Sequence, residues 1–284
     1  MTHSSPSSLY PRLRRTVTGV TDGWNRLGRQ TQFYAKTIRG IWDAFANYKS
    51  ELVRLIATMS LGSGALAIIG GTVVIVGFLT LSAGSLIAVQ AYTQLQEIGV
   101  DALAGFTSAF LNVRLVGPLV AGIGLAATIG AGSTAQLGAM RISEEIDALE
   151  VMGIRSISYL ASTRVLAGII VVIPLYCIAV MMAFIATRVG TTFVYGQSTG
   201  VYDHYFDTFL NPTDLIYSFL QAIAMAIVVM LVHTYYGFNA SGGPAGVGDA
   251  VGRAVRTSLI AAVLVTMFVS LAIYGQSGNF HLSG

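Results

Sequence analysis

The sequence predicts an all-α polytopic membrane protein, and three observations predict it. Of 284 residues, 54% are hydrophobic and only 10% are charged. The charge-free stretches 55–96, 115–140, 165–187, 215–248 and 257–284 each exceed the roughly 20 apolar residues that a spanning helix needs. Lys and Arg also fall unevenly between the stretches. With five spans, fourteen basic residues lie on the N-terminal side and two, Arg114 and Arg188, lie opposite, whereas six spans would give eleven against five. The positive-inside rule therefore favours five spans, a cytoplasmic N-terminus and an extracytoplasmic C-terminus in the inner (plasma) membrane.

Residues 1–11, rich in Ser and Pro, are expected to be a disordered tail. Segment 12–54 follows as an amphipathic helix. Trp24, Leu27, Thr31, Tyr34, Ile38, Ile41, Phe45, Tyr48 and Leu52 recur at spacings of three and four, with Arg26, Arg29, Lys36, Arg39 and Lys49 mostly on the other sides. Such a helix lies in the membrane interface with its cations near anionic headgroups. A short coiled coil is the alternative, and consecutive aromatic seam positions are bulky for one. Nothing before Leu55 resembles the apolar core of a cleavable signal peptide, so this segment is expected to stay in the mature chain.

The five-span domain is expected over 55–284. Its first charge-free stretch is long enough for one span plus a membrane-embedded elbow. In the second span Gly122, Ala126, Gly130, Thr134 and Gly138 sit four apart, a ridge of small residues that permits close helix contact where lipid supplies no hydrophobic drive. That ridge suits either a moving contact in a transporter core or plain tight packing.

Between the second and third spans lies the segment 143–151, which carries four of the 13 carboxylates. Ser143 is placed to cap a short helix, with Glu144, Glu145 and Asp147 in its first turn, where the helix dipole favours anions. Ile142, Ile146, Leu149 and Met152 would form an apolar face, leaving Glu144, Glu145, Asp147 and Glu150 on the other faces. A docking plug for a partner is the expected role; a solvated loop helix is the alternative. In the fourth span His233 is a functional candidate by position, but no span core holds a carboxylate to complete a proton relay, so a hydrogen-bonded packing role is favoured. Segment 238–256 is read as a flexible Gly-rich cytoplasmic loop. Cys177 stands alone and makes no intrachain disulfide.

Several chemistries are excluded. No Gly-Lys pair exists, so the chain has no phosphate-binding P-loop. Gly246, Gly248 and Gly252 have the wrong spacing for a dinucleotide fingerprint, and His3, His204, His233 and His281 are too scattered to hold zinc. The chain is not expected to be an enzyme, and neither a cofactor nor a metal is expected in it.

An apparent permease with an acidic docking helix and no ATPase of its own fits an ATP-binding-cassette transporter. GSTAQLGAMRISEEIDALEVMGI (132–154) and ASGGPAGVGDAVGRAVRTS (240–258) resemble the signatures of the MlaE/YrbE permease family. YDHYF (202–206) and HTYYGFNASGGPAGVG (233–248) are most similar to YrbE proteins of actinobacterial mammalian-cell-entry (Mce) systems, with the B-type half as candidate. The resemblance implies a permease subunit that moves hydrophobic lipids (fatty acids, sterols or phospholipids), in the direction of import. It further implies a second, A-type YrbE permease, two copies of a cytoplasmic ATPase that holds the ATP and Mg, Mce proteins on the outer side, membrane lipids, and no nucleic acid. By the same resemblance Ser143, Glu144, Glu145, Asp147, Leu149 and Glu150 would form the ATPase-coupling helix. Arg114 matches the arginine of the family pattern R-E-x-G-P, but here Leu115 replaces the glutamate. With Asp101 the nearest carboxylate in sequence, Arg114 at the outer start of span two is expected either to meet a lipid carboxylate or phosphate, or to snorkel. In the outer segment, Tyr202, Tyr205 and Phe206 are expected to brace the Mce assembly, or else to form an aromatic belt. A structural anchor for that assembly, with no lipid path of its own, is the alternative function. A proton-coupled carrier would need intramembrane acids and internal repeats, and the sequence has neither.

Overall fold

A computed structural model describes residues 11–61 and 71–274, so the expected tail before Pro11, the elbow after Leu61 and the C-terminus lie outside the described residues. Among those residues every regular element is helical, and five helices are long and apolar enough to cross a membrane. The order is α1 (Pro11–Asn47), α2 (Lys49–Leu61), α3 (Thr72–Glu97), α4 (Asp101–Ile142), α5 (Glu145–Val151), α6 (Ile157–Val194), α7 (Thr199–Phe209), α8 (Pro212–Phe238) and α9 (Gly243–Tyr274). The spans are α3, α4, α6, α8 and α9.

Two spans are longer than their charge-free stretches implied. α4 runs for 42 residues and α6 for 38, and both contain widened π turns, at Asn112–Val116 and Ala126–Gly130 in α4 and at Ile157–Ser162 and Gly190–Val194 in α6. The first has a visible cause. Pro118 has no N–H to give the carbonyl four residues back, and its ring would crowd that carbonyl. Directly ahead of it, the Gly117 N–H donates five residues back, to the Asn112 carbonyl. Arg114 and Arg164, taken as loop charges, therefore lie inside α4 and α6. Arg164 is buried, with one guanidinium N–H donated to the Leu160 carbonyl and its Nε unpartnered among the described residues.

The main core joins Leu125, Ala126 and Ile129 of α4 to Val172, Leu175 and Ala179 of α6 and to Met225, Ala226 and Met230 of α8. α3 leans on α6, where a side chain at Gly84 would meet the Ala183 carbonyl at 2.6 Å and Thr187 Oγ1 donates to the Gly84 carbonyl at 3.1 Å. The small ridge of α4 is a tightly packed contact. Gly122 meets Met225, Gly130 lies under the ring of His233, and Gly138 meets Val247 and Ala240. α3 and α9 are the least enclosed spans, and Phe78, Leu86, Phe268 and Leu271 point outward from them.

The Gly-rich segment 238–256 is not a loop. Only 239–242 form the connection, with Gly242 at φ +93° and Gly243 at φ +70°, and Pro244 then opens α9. Proline with its pre-set φ fits the first turn of a helix, so the remaining glycines continue as α9.

The seam of the N-terminal helix also divides. Tyr34 and Ile41 pack on the core, and Tyr48 meets Tyr159, while Trp24, Leu27, Ile38 and Phe45 stay exposed together with Trp42. α1 breaks at Tyr48, and α2 carries Leu52 and Leu55 onto Ala167 of α6.

Candidate functional site

The acidic element is built from two chain reversals. α4 ends at Ser143, whose N–H donates to the Ala139 carbonyl at 3.0 Å and whose hydroxyl donates to the same carbonyl. Glu144 then takes φ +62°, which is left-handed backbone that costs a non-glycine residue about 1 kcal/mol or more. α5 starts only at Glu145, with the Glu144 carbonyl accepting its first bond, from Ala148 N–H. Ser143 therefore caps the preceding helix and is not the N-cap of the acidic one. Its hydroxyl also reaches Glu145 Oε1 at 2.9 Å. At the other end Gly153, at φ +78°, donates to the Glu150 carbonyl and Ile154 to the Leu149 carbonyl, both at 3.0 Å. This is a Schellman stop, which needs glycine at that position.

Because the chain reverses between Ser143 and Glu145, the expected apolar face is not continuous. Ile146 is fully buried and Leu149 half-buried against Leu137, Leu160, Tyr159 and Phe238, which seats the helix on the ends of α4, α6 and α8. Met152 is instead 66% exposed, and Val151 beside it is 90% exposed. The outer surface is thus Glu144, Glu145, Asp147 and Glu150 with an apolar tip, Val151 and Met152. Asp147 pairs with Arg141, and the Glu150 carboxylate accepts from Ser156 Oγ.

α1 braces this element from the side. Arg155 pairs with Asp43 of α1 at 2.8 Å. Ser162 Oγ donates to the Thr37 carbonyl at 2.7 Å, and Phe33 packs edge-on to Tyr235, 5.5 Å away. Asp43, Thr37 and Arg155 were not legible as site residues, since each meets a partner more than 100 positions away and only polarity marks them. α1 and α5 consequently share one side, as the two spans between them, α3 and α4, require.

His233 is fully buried, with Nδ1 2.8 Å from Thr134 Oγ1 and Nε2 3.0 Å from Ser258 Oγ, so it ties α4, α8 and α9 together. This is the packing role that its surroundings in sequence favoured.

Arg114 is not at the start of a span and does not lack an acid. It lies 13 residues inside α4, over the Phe110 ring, and pairs with Asp214 in the first turn of α8, with Nη2 to Oδ2 at 2.7 Å. Near it a buried polar band links the same spans. Asn112 Nδ2 donates to Ser108 Oγ and Thr187 Oγ1, and Tyr176 donates to Ser218 Oγ at 2.9 Å. Gln221 is buried beside it with both amide atoms unpartnered among the described residues.

The aromatics expected on the outer side, Tyr202, Tyr205 and Phe206 of α7, point inward. Tyr202 is 1% exposed, Phe206 packs edge-on to Phe184 at 4.9 Å, and Tyr205 is half-buried. α7 lies so close to α4 that a side chain at Gly105 would strike the Tyr202 carbonyl. Burial pushes the Tyr202 phenol up to about 12, whereas the hydrogen bond from Arg188 holds the Asp203 carboxyl below the usual range. Tyr202 therefore cannot touch a partner directly; the same end of the bundle instead exposes His204, Asp207 and Phe193, the last 86% exposed.

The chain is similar to known permeases. The family model described as Permease MlaE matches residues 61–272. A probable ABC transporter permease protein of Rickettsia felis is 28% identical over 247 residues, covering 83% of this chain and 92% of its own length. A probable ABC transporter permease protein of Synechocystis is 22% identical over 69% of this chain and 74% of its own. The chloroplastic protein Trigalactosyldiacylglycerol 1 of Arabidopsis thaliana is 25% identical over 198 residues, covering 69% of this chain and 56% of its own.

Proposed function

The chain belongs to the MlaE permease family, and from that premise we propose that it is the permease subunit through which an Mce-type ABC transporter imports hydrophobic lipids. Its relatives carry the name ABC transporter permease, and the Arabidopsis relative carries the name of a galactolipid. The coarse reading is a multi-pass lipid-transport permease without an enzymatic role. The finer one adds a second, A-type permease, two ATPase subunits on the α5 side, Mce proteins on the α7 side, and fatty acid, sterol or phospholipid as cargo.

One observation supports it most. α5 is a seven-residue helix clamped at its base by Ile146 and beside it by the Asp43–Arg155 pair, with its acids and the Val151–Met152 tip left outward. An acidic surface around an apolar knob complements a basic-rimmed groove. Ser143, Glu144, Glu145, Asp147, Leu149 and Glu150 are proposed as the coupling element, Leu149 seating it and Ser143 ending α4 behind it. On the outer side Tyr202, Tyr205 and Phe206 would act by holding α7 in place for an Mce partner.

The intact complex, purified and analysed by mass spectrometry, is expected to retain one class of lipid that also stimulates its ATPase. An assembly that retains no lipid, and whose ATPase responds to none, would be an anchor rather than a path. Orientation has its own check. Reporter fusions after Gly153 and Gly246 are expected in the cytoplasm, and fusions after Gly200 outside. The reverse pattern would remove α5 from any ATPase.

A further inference from the structure

Between α1 and the start of α6 lies a cavity of about 510 Å³, within the size range of small-ligand sites. Its charged lining is three cations, Lys36, Arg39 and Arg155, against two carboxylates, Asp43 and Glu150. Both carboxylates are engaged: Asp43 pairs with Arg155, and Glu150 accepts from the Ser156 hydroxyl. Lys36 and Arg39, one helical turn apart on α1, have no ion pair or hydrogen bond among the described residues.

The opposite wall is the first turn of α6, where Ser156, Ile157 and Ser158 line the cavity. The leading amides of a 38-residue helix have no intrahelical acceptors, and the dipole there favours an anion. Ser158 is only 7% exposed, yet its hydroxyl has no hydrogen-bond partner among the described residues. Two free cations, a helix start and an unpartnered hydroxyl thus converge on one space.

We propose that this cavity binds the phosphate of an anionic phospholipid from the leaflet on which α1 lies. A phosphate monoester or diester offers the oxygens that this lining can satisfy. The lipid source is favoured by Trp42, one turn beyond Arg39 on α1 and 78% exposed. An acyl chain can lie against that indole while the headgroup enters the cavity. Glu150 and Arg155 flank the site, so the headgroup bridges the support of α5 to α1. The site does not depend on what the permease transports.

The test is native mass spectrometry of the full chain, purified with its accompanying subunits and titrated with phosphatidylglycerol or phosphatidylcholine. Wild type is expected to retain phosphatidylglycerol preferentially. The double variant Lys36→Gln, Arg39→Gln should lower that retention about 30-fold, taking each cation near an anionic membrane surface at about 1 kcal/mol. Ser158→Ala, which leaves the packing intact, should lower it about five-fold, the usual net worth of one hydrogen bond. Equal retention of the two lipids by wild type, or no change in either variant, overturns the site. Glycerol 3-phosphate competing as well as the whole lipid would make it a free-phosphate site and overturn the lipid assignment.

Discussion

Replacing Glu145 and Asp147 together by lysine is expected to abolish lipid transport and co-purification of the ATPase, with the permease still inserted. Both side chains are exposed on α5, which is seated by Ile146 and Leu149, and Asp147 adds only an exposed pair with Arg141. The reversal sets two lysines against a groove expected to be basic, and like charges across an interface cost several kcal/mol. The lysine introduced in place of Asp147 would also face Arg141, the present partner of that carboxylate. Val151→Asp should act in the same direction by removing the apolar tip, whose side chain is 90% exposed and supports nothing inside the permease. Pull-down of the ATPase with the permease, alongside its level in membranes, measures both. A double reversal that transports normally with the ATPase bound would remove α5 from the coupling role.

The second large effect is expected at Arg114. Breaking a buried ion pair by removing one partner costs about 3–5 kcal/mol. Here the two side chains keep 22% and 19% of their exposure, so about 2–3 kcal/mol is expected for Arg114→Gln or Asp214→Asn. Each should lower the unfolding temperature of the purified protein, and the charge swap Arg114→Asp, Asp214→Arg should recover part of the loss. Since Asp214 already supplies the counter-ion, Arg114→Gln should reduce transport of acidic and neutral lipids alike. A loss confined to acidic lipids would give Arg114 a headgroup role after all.

Both predictions depend on contacts that are unequally visible in the chain. The stop of α5 was legible, because Met152-Gly153-Ile154 is a local signal and a Schellman turn needs only neighbours. Its start was not, because Ser143 has the chemistry of a cap for either helix and only the left-handed Glu144 decides which. Asp214 as partner of Arg114 was out of reach for another reason: the two lie 100 residues apart, and each sits beside a charge-free stretch that names no partner. The aromatics of α7 misled, since Tyr202 and Phe206 have the composition of an interface belt yet fill the space beside Gly105 and Phe184.

Composition and charge order by themselves determined that this is a five-span helical membrane protein with an acidic helix between spans two and three. Spans must satisfy their own backbone within one segment, so length and polarity along the chain suffice to find them. Tertiary structure alone decided which faces meet. It set Ile146 inward and Val151 outward, joined Asp43 to Arg155 and Arg114 to Asp214, and placed His233 between Thr134 and Ser258. The physical reason is the solvent. In lipid the buried and exposed faces of a helix are equally apolar, so periodicity cannot separate them, and helix pairing rests on close packing and hydrogen bonds between residues far apart in sequence.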